Sequence, residues 1–375
     1  MDETKEDTKT GDTAQAVGFP CKNCGSQMSY DPVRGALYCP YCKSTEEIVS
    51  VEEEAPEYAY FPEEDAYDAP KWEERGRVTL TCPSCGAETL MSAAAMTATC
   101  PFCGANYVTE PQEGEEVIQP ETMIPFRVSE GDARSAFARW VRRRFFAPRR
   151  FKRGTYRPQL NGIYVPYWTF DAAVHTDYDG FGGRQQVEHY TVRVNGKTEH
   201  RTRTKTDWYP VHGSMELDFD NIPCPATKKL DRQLLDKVSG SYSLRTLNVY
   251  NPAFLAGFFA ERYSVGLGEG FAAVRKVMES RMEAHIKSSL GYDTYRGMSY
   301  RHHFRNVKFK HILLPLWLAS YRYHEKIFHF MVNGETGQIA GKAPLSPWKI
   351  AGTVLLGIAA AVLFGYFLYA IGDMA

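Results

Sequence analysis

The 375-residue sequence lacks the short patterns that mark the common catalytic centres. It has no HExxH pair, no GxSxG nucleophile turn and no GxGxxG dinucleotide fingerprint. VNGETGQIAGKAP carries the glycines of a phosphate loop without their spacing, and Ala343 stands where Ser or Thr would be needed. The ten histidines are scattered, and His302-His303 has no metal-ligand spacing. Asp171, His175 and Asp177 lie close on an expected strand, where they read as a polar strand face. The expectation is a protein that is not an enzyme.

Net charge is also missing: 44 Lys and Arg offset 45 Asp and Glu. The balance hides three unbalanced stretches. Residues 46–77 carry twelve acidic side chains against three basic ones, interleaved with Tyr, Phe and Trp. That stretch reads as a solvated spacer or as a docking segment for a basic surface. Between Arg134 and Arg157 there is no acidic residue among ten Lys and Arg. Such a patch suits nucleic-acid phosphate, anionic lipid or the chain's own acidic linker, and lipid or an acidic protein is favoured over nucleic acid. From Ile350 to Gly372 there is no charge at all.

That uncharged run would form about 34 Å of helix, enough for a bilayer core of about 30 Å with some tilt. Trp348 and Lys349 flank one end, and Tyr366 and Tyr369 lie near the other, as interfacial anchors would. Lys342 and Lys349 before the span and Asp373 after it place the body of the chain in the cytoplasm. Gly357, Ala361 and Gly365 form a small-residue stripe that could pair two such helices, so a homo-oligomer is one outcome. MDETKEDTKTGDTAQ opens the chain without the apolar core of an export signal, which points to a reducing compartment.

What the sequence has in quantity is cysteine, nine in all. Cys21, Cys24, Cys39 and Cys42 form CxxC, fourteen residues, CxxC, and the pattern recurs 61 positions on as Cys82, Cys85, Cys100 and Cys103. Paired CxxC turns bring four thiolates round one ion, so each quartet is expected to hold a structural Zn²⁺, two ions in all. Iron and disulfides are the lesser alternatives. Gly25, Gly86 and Gly104 follow their pairs, where a left-handed residue closes the turn, and Lys43 takes that place in the fourth. Units this small cannot fold on apolar burial, and metal binding would supply the difference. Cys224 stands alone.

The aromatic content of 13% favours β-rich packing, and the expected class is α+β. The expected parts are a disordered tail (1–18), zinc ribbon one (19–45), the acidic linker (46–77) and zinc ribbon two (78–109). A joint (110–122), a mixed α+β domain with an antiparallel sheet (123–346) and a transmembrane anchor (348–372) complete the chain. The domain opens on a basic helix over 129–148, capped by Ser129, with Phe137, Trp140, Val141 and Phe145 on one face. Asn195-Gly196 signals a hairpin. Phe271, Val274, Met278, Met282 and Ile286 mark the buried face of a second helix. IYVPYW (163–168) and ILLPLW (312–317) share one form and suggest two strands in related places.

The two CxxC ribbons, FARWVRRRFFAP, GIYVPYWTFDA, LLPLWLASYRY, FMVNGETGQIAG and the terminal span together resemble a family of bacterial tail-anchored zinc-ribbon proteins. Members are often encoded beside phage-shock protein A and flotillin-like SPFH proteins, and some relatives carry a primosomal-helicase label. The resemblance implies a single-pass protein of the bacterial inner membrane that recruits cytoplasmic partners, such as those neighbours, in envelope stress or membrane integrity. It supplies no catalytic residues, so only the eight cysteines carry over. The alternative is a membrane-tethered nucleic-acid-binding protein.

Overall fold

The computed structural model describes residues 19–49, 56–64, 66–67, 69, 71–72, 77–82, 86, 88–92, 98–99, 102, 106–107, 117–118, 120–152, 160–194, 197–244, 247–323 and 326–372. Along the chain, β1 (Ser29–Asp31), β2 (Ala36–Tyr38) and β3 (Thr45–Glu47) form a small antiparallel sheet. Short strands follow: β4 (Tyr58–Phe61), β5 (Ala66–Tyr67), β6 (Lys71–Trp72), β7 (Arg77–Thr81), β8 (Glu88–Ser92), β9 (Ala98–Thr99), β10 (Asn106–Tyr107), β11 (Val117–Ile118) and β12 (Thr122–Met123). Then come helices α1 (Glu130–Arg143) and α2 (Arg149–Lys152) and two long strands, β13 (Asn161–Val194) and β14 (Lys197–Pro225). Helix α3 (Arg232–Ser239), β15 (Asn248–Val249), β16 (Phe259–Glu261) and α4 (Leu267–Leu290) lead to β17 (Thr294–Tyr323), β18 (Lys326–Asn333), β19 (Ile339–Gly341) and α5 (Pro347–Gly372). The class is α+β.

Strand β13 is the spine. It pairs antiparallel with β14 on one side, from Tyr167↔Pro225 out to Val194↔Lys197, and with β17 on the other, from Asn161↔Leu318 to Gly183↔Thr294. At about 3.3 Å per residue its 34 residues span roughly 110 Å. Beyond Gly183 the third strand is gone, and residues 184–194 and 197–207 continue as a two-stranded arm. The Asn195-Gly196 turn itself lies outside the described residues.

The two similar hexapeptides are direct neighbours. Val165 pairs with Leu314, Tyr164 with Pro315 and Pro166 with Leu313, so an approximate two-fold axis passes through the Val165–Leu314 pair. The symmetry runs outward. Ile163 and Tyr164 pair in parallel with Phe259 and Ala260, as Ile312 and Leu313 do with Thr122 and Met123. Each proline falls where the outer neighbour changes from that parallel strand to the antiparallel hairpin partner, β14 or β18. The Pro166 carbonyl accepts from Ala226 N at 2.9 Å, and that of Pro315 from Gly334 N at 2.8 Å. The N–H that proline lacks would have pointed the same way, into the changeover, so little is lost there.

The helices obey the same axis. Trp168 Nε1 donates to the Val265 carbonyl just ahead of α4, and Trp317 Nε1 donates to the Val128 carbonyl just ahead of α1, both at 2.9 Å. Phe126 lies 5.1 Å from Trp317, and Tyr263 lies 5.0 Å from Trp168, ring centre to ring centre. Each unit is therefore strand, helix, then a hairpin. One has the short β17–β18 hairpin and the other the long β13–β14 arm.

Alternation along β13 sorts the core. Ile163, Val165 and Tyr167 pack toward α3 with Leu234, Leu235 and Val238. Tyr164 faces α1, while Trp168, Phe170 and Val174 face α4, whose Phe271, Val274, Met278, Met282 and Ile286 are all buried. The buried stripe of α4 is the one its periodicity indicates. Helix α1 starts where expected, with the Ser129 side chain accepting from Asp132 N, but it ends at Arg143. Phe145 consequently lies beyond the helix and is 63% exposed, instead of joining Phe137, Trp140 and Val141 in the core.

The acidic stretch contributes to the sheet. Strand β4 adds antiparallel to β17 through Ala59↔Lys308 and Tyr58↔Phe309. Tyr60 is buried against Phe170, Phe271 and Phe309, and Glu57 binds Lys308 and Lys310, each at 3.0 Å. Those lysines hold the Glu57 carboxyl down at about 2, against the desolvation that opposes them. This is docking on a basic surface within the chain, at the sheet edge.

Candidate metal centre

Two tight turns build the first cysteine site. Gly25 N donates to the Cys21 carbonyl at 2.8 Å, and Lys43 N to the Cys39 carbonyl at 3.1 Å. Both closing residues are left-handed, Gly25 at φ 74° and Lys43 at φ 65°. Lys43 gives up the ease of glycine there, and its ammonium donates to the Pro40 carbonyl at 2.7 Å. Cys21 N and Cys39 N donate to the Ser26 and Ser44 carbonyls, so the two turns repeat one another atom for atom. β1 and β2 carry the chain from one turn to the other through a hairpin closed by Gly35 N donating to Asp31 O.

The result is convergence. The sulfurs of Cys21, Cys24, Cys39 and Cys42 all lie within 4.8 Å of one another, with Cys21–Cys42 at 3.4 Å and Cys24–Cys39 at 3.5 Å. A tetrahedral ion with metal–sulfur bonds of about 2.3 Å requires edges of about 3.8 Å. The four thiols can therefore hold one metal ion, and none of them is in a disulfide. Among the described residues this is the one group of three or more His, Cys, Asp and Glu whose ligand atoms converge.

Ser44 was not singled out by the cysteine pattern. Its hydroxyl lies 3.0 Å from both Cys21 Sγ and Cys42 Sγ. It is the largest influence lowering both thiols, and with the local backbone it holds Cys42 at about 5. Cys39 behaves oppositely. A backbone hydrogen bond from Cys42 lowers it, but burial and the neighbouring sulfurs push it up to about 11. The signal for Ser44 was in the sequence, since a serine follows the closing residue of both turns, at Ser26 and Ser44.

The site is fastened to the sheet domain. Tyr30 N donates to the Ala256 carbonyl at 2.9 Å, its hydroxyl donates to the Phe126 carbonyl at 3.0 Å, and its ring meets Phe254 edge-on at 5.2 Å. Cys21, Met28, Tyr30, Leu37 and Cys39 belong to one core cluster with Phe126, Tyr164 and Phe254.

The second cysteine unit begins in the same way. Cys82 is buried, and Gly86, at φ 65°, donates to its carbonyl at 2.8 Å. β7 and β8 form a hairpin, and β8 joins the main sheet through Leu90↔Ala260 and Thr89↔Glu261. Cys85, Cys100 and Cys103 lie outside the described residues. Both units thus attach within the short stretch from Ala256 to Glu261.

The remaining candidates lie apart from the cysteine cluster. Asp171 sits where β13 meets bulges on both sides, beside left-handed Asn221 and Asn306. Burial first, and then the Glu57 carboxylate, raise Asp171 to about 6. His175 lies 3.6 Å from Asp177 and 3.9 Å from Glu216, in a solvent-facing network. Cys224 is buried on β14 opposite Trp168, and burial raises its thiol. Helix α5 is long and apolar enough to cross a membrane, and the segment Pro347–Gly365 has none of its span buried.

Fold and site together define an α+β protein with a four-cysteine cluster able to hold a metal ion and one apolar C-terminal helix able to span a membrane. Over 337 residues the chain is 30% identical to the uncharacterized protein YdjG of Bacillus subtilis, covering 89% of this chain and 92% of that one. The chain belongs to the family of that protein. No protein-family model and no solved structure matches it.

Proposed function

We propose that the protein is a non-enzymatic adaptor, anchored in the bacterial inner membrane by α5, that recruits cytoplasmic partners through zinc-ribbon surfaces. Each cysteine quartet holds a structural Zn²⁺, and the body of the chain faces the cytoplasm. All four donors of the first site come from the protein, which fills a tetrahedral shell and leaves no place for substrate.

The observation that carries this reading is the two-sidedness of the first ribbon. Its inner face is buried against the sheet domain, whereas Val33 (74% exposed), Tyr41 (77%) and Val49 (81%) are open to solvent. A rigid unit that displays apolar side chains is suited to partner binding. Partners of the phage-shock protein A or flotillin-like type fit the resemblance.

Affinity capture of the full chain from gently solubilised membranes, with and without zinc chelation, tests the reading. Recovery of such partners that is lost on chelation, and lost in Tyr41→Ala, supports it. Recovery of nucleic acid alone, weakening steeply with salt, would replace it with the nucleic-acid reading.

A further inference from the structure

The start of α5 does not stand alone. The turn after α1 is bound to it: Ser346 N donates to the Phe146 carbonyl at 2.8 Å, and Lys349 Nζ donates to the Phe145 and Ala147 carbonyls at 3.0 and 2.7 Å. Ala147 is buried and pins the turn, while hydrogen bonds from Arg144 N to Val141 O and from Ala147 N to Arg144 O shape it. So fixed, the turn presents Phe145 (63% exposed) and Phe146 (39%) beside Leu345 (65%) and Trp348 (85%). Around them stand the exposed guanidinium groups of Arg139, Arg143, Arg144 and Arg149, in a stretch without an acidic residue.

We infer that this turn is a second membrane contact, a collar in which Phe145 and Phe146 enter the headgroup layer and the arginines bind the phosphates of anionic phospholipid. The inference rests on the reading of α5 as a membrane anchor. With 23 uncharged residues filling the hydrocarbon core, Trp348 and Lys349 lie at interface depth. The turn is hydrogen-bonded to Lys349 and to Ser346 just before it, so it is held at that depth too. Aromatic rings with cationic neighbours are the side chains that this layer favours. Arg144 already stacks over Trp140, 4.6 Å from its ring centre, which fixes one charge of the collar in place. A covered protein partner is less suited, because Trp348 and Leu345 belong to the anchor's own approach and move with it into lipid.

The test uses the full chain reconstituted into vesicles of phosphatidylcholine, with or without phosphatidylglycerol. Hydrogen exchange at residues 142–149 is expected to slow about tenfold when the anionic lipid is present, for several basic groups engaged at the surface. The combined variant Arg143→Glu, Arg144→Glu and Arg149→Glu should erase the difference while floating with both vesicles. Phe145→Ser with Phe146→Ser should speed exchange in both. Metal content and circular dichroism check that the variants fold. Co-flotation with exchange that ignores the lipid charge would overturn the collar and leave the anchor standing. Failure to float with either vesicle would overturn the anchor and the collar together.

Discussion

Residues 19–49 and the sheet domain lie against one another but are held in shape by different means. The ribbon has three strands of three residues each, and the buried side chains it owns, Met28, Tyr30 and Leu37 among them, point into its neighbour. Nothing in that segment could order itself by apolar burial alone. The sheet domain has two strands of 34 and 30 residues, covered by α1 and α4 on one face and α3 on the other. Its order comes from burial and from a hydrogen-bonding scheme repeated about one axis. The difference implies that a metal ion matters locally, whereas changes in the sheet are felt throughout.

The largest effect expected is on the metal site. Cys39→Ser should release the ion and disorder residues 19–49, since structural zinc supplies on the order of 10–16 kcal/mol in small units. Amide exchange should rise throughout the ribbon and stay slow at β13 and β17. Equal loss of protection in both regions would erase the distinction.

A pH effect is expected in the sheet domain. Burial raises the Glu261 carboxyl to about 8, and Thr227, which donates to it, lowers it less than burial raises it. Between its unfolded value near 4.5 and about 8, the folded chain keeps a proton that the unfolded chain releases. Stability should therefore fall as pH rises through that window, by at most roughly 5 kcal/mol for this group. Glu121, also raised to about 8 by burial, adds to the same slope. In denaturant titrations, Glu261→Gln should flatten part of that slope, and an unchanged slope would contradict the assignment.

The internal symmetry gives a matched pair. Trp168→Phe and Trp317→Phe each leave a carbonyl ahead of a helix without its donor, at a cost of about 1–3 kcal/mol. Similar losses in the two would sharpen the equivalence of the two units, and a large disparity would break it. Smaller still is Tyr30→Phe, which removes the hydroxyl bond to Phe126 at about 1 kcal/mol and loosens the seam between ribbon and sheet. Exchange at the amides of Met28 and Tyr30 would report it.

Local features were the legible ones. The CxxC spacing located four sulfurs that do converge, because a tight turn fixes its own ends. The three-and-four spacing in α4 named its buried face, and two hexapeptides of one form turned out to be partners about an axis. What the sequence concealed depends on distant pairing. Tyr58–Phe61 sits in an acidic stretch, and pairing with β5 and with the distant edge of β17, which carries Lys308 and Lys310, makes it a strand. Phe145 fits the helical period of α1, yet the helix stops two residues earlier and the turn swings the ring toward α5. Likewise, no spacing rule could place Tyr30 against Phe126, 96 residues away.

X-ray absorption at the metal edge of the purified full chain would read the ligands of the ion directly. The expected result is zinc surrounded by four sulfur atoms at about 2.3 Å, with no nitrogen or oxygen neighbour. A chain free of metal with its thiols bridged, or an ion with light-atom ligands in its inner shell, would contradict it.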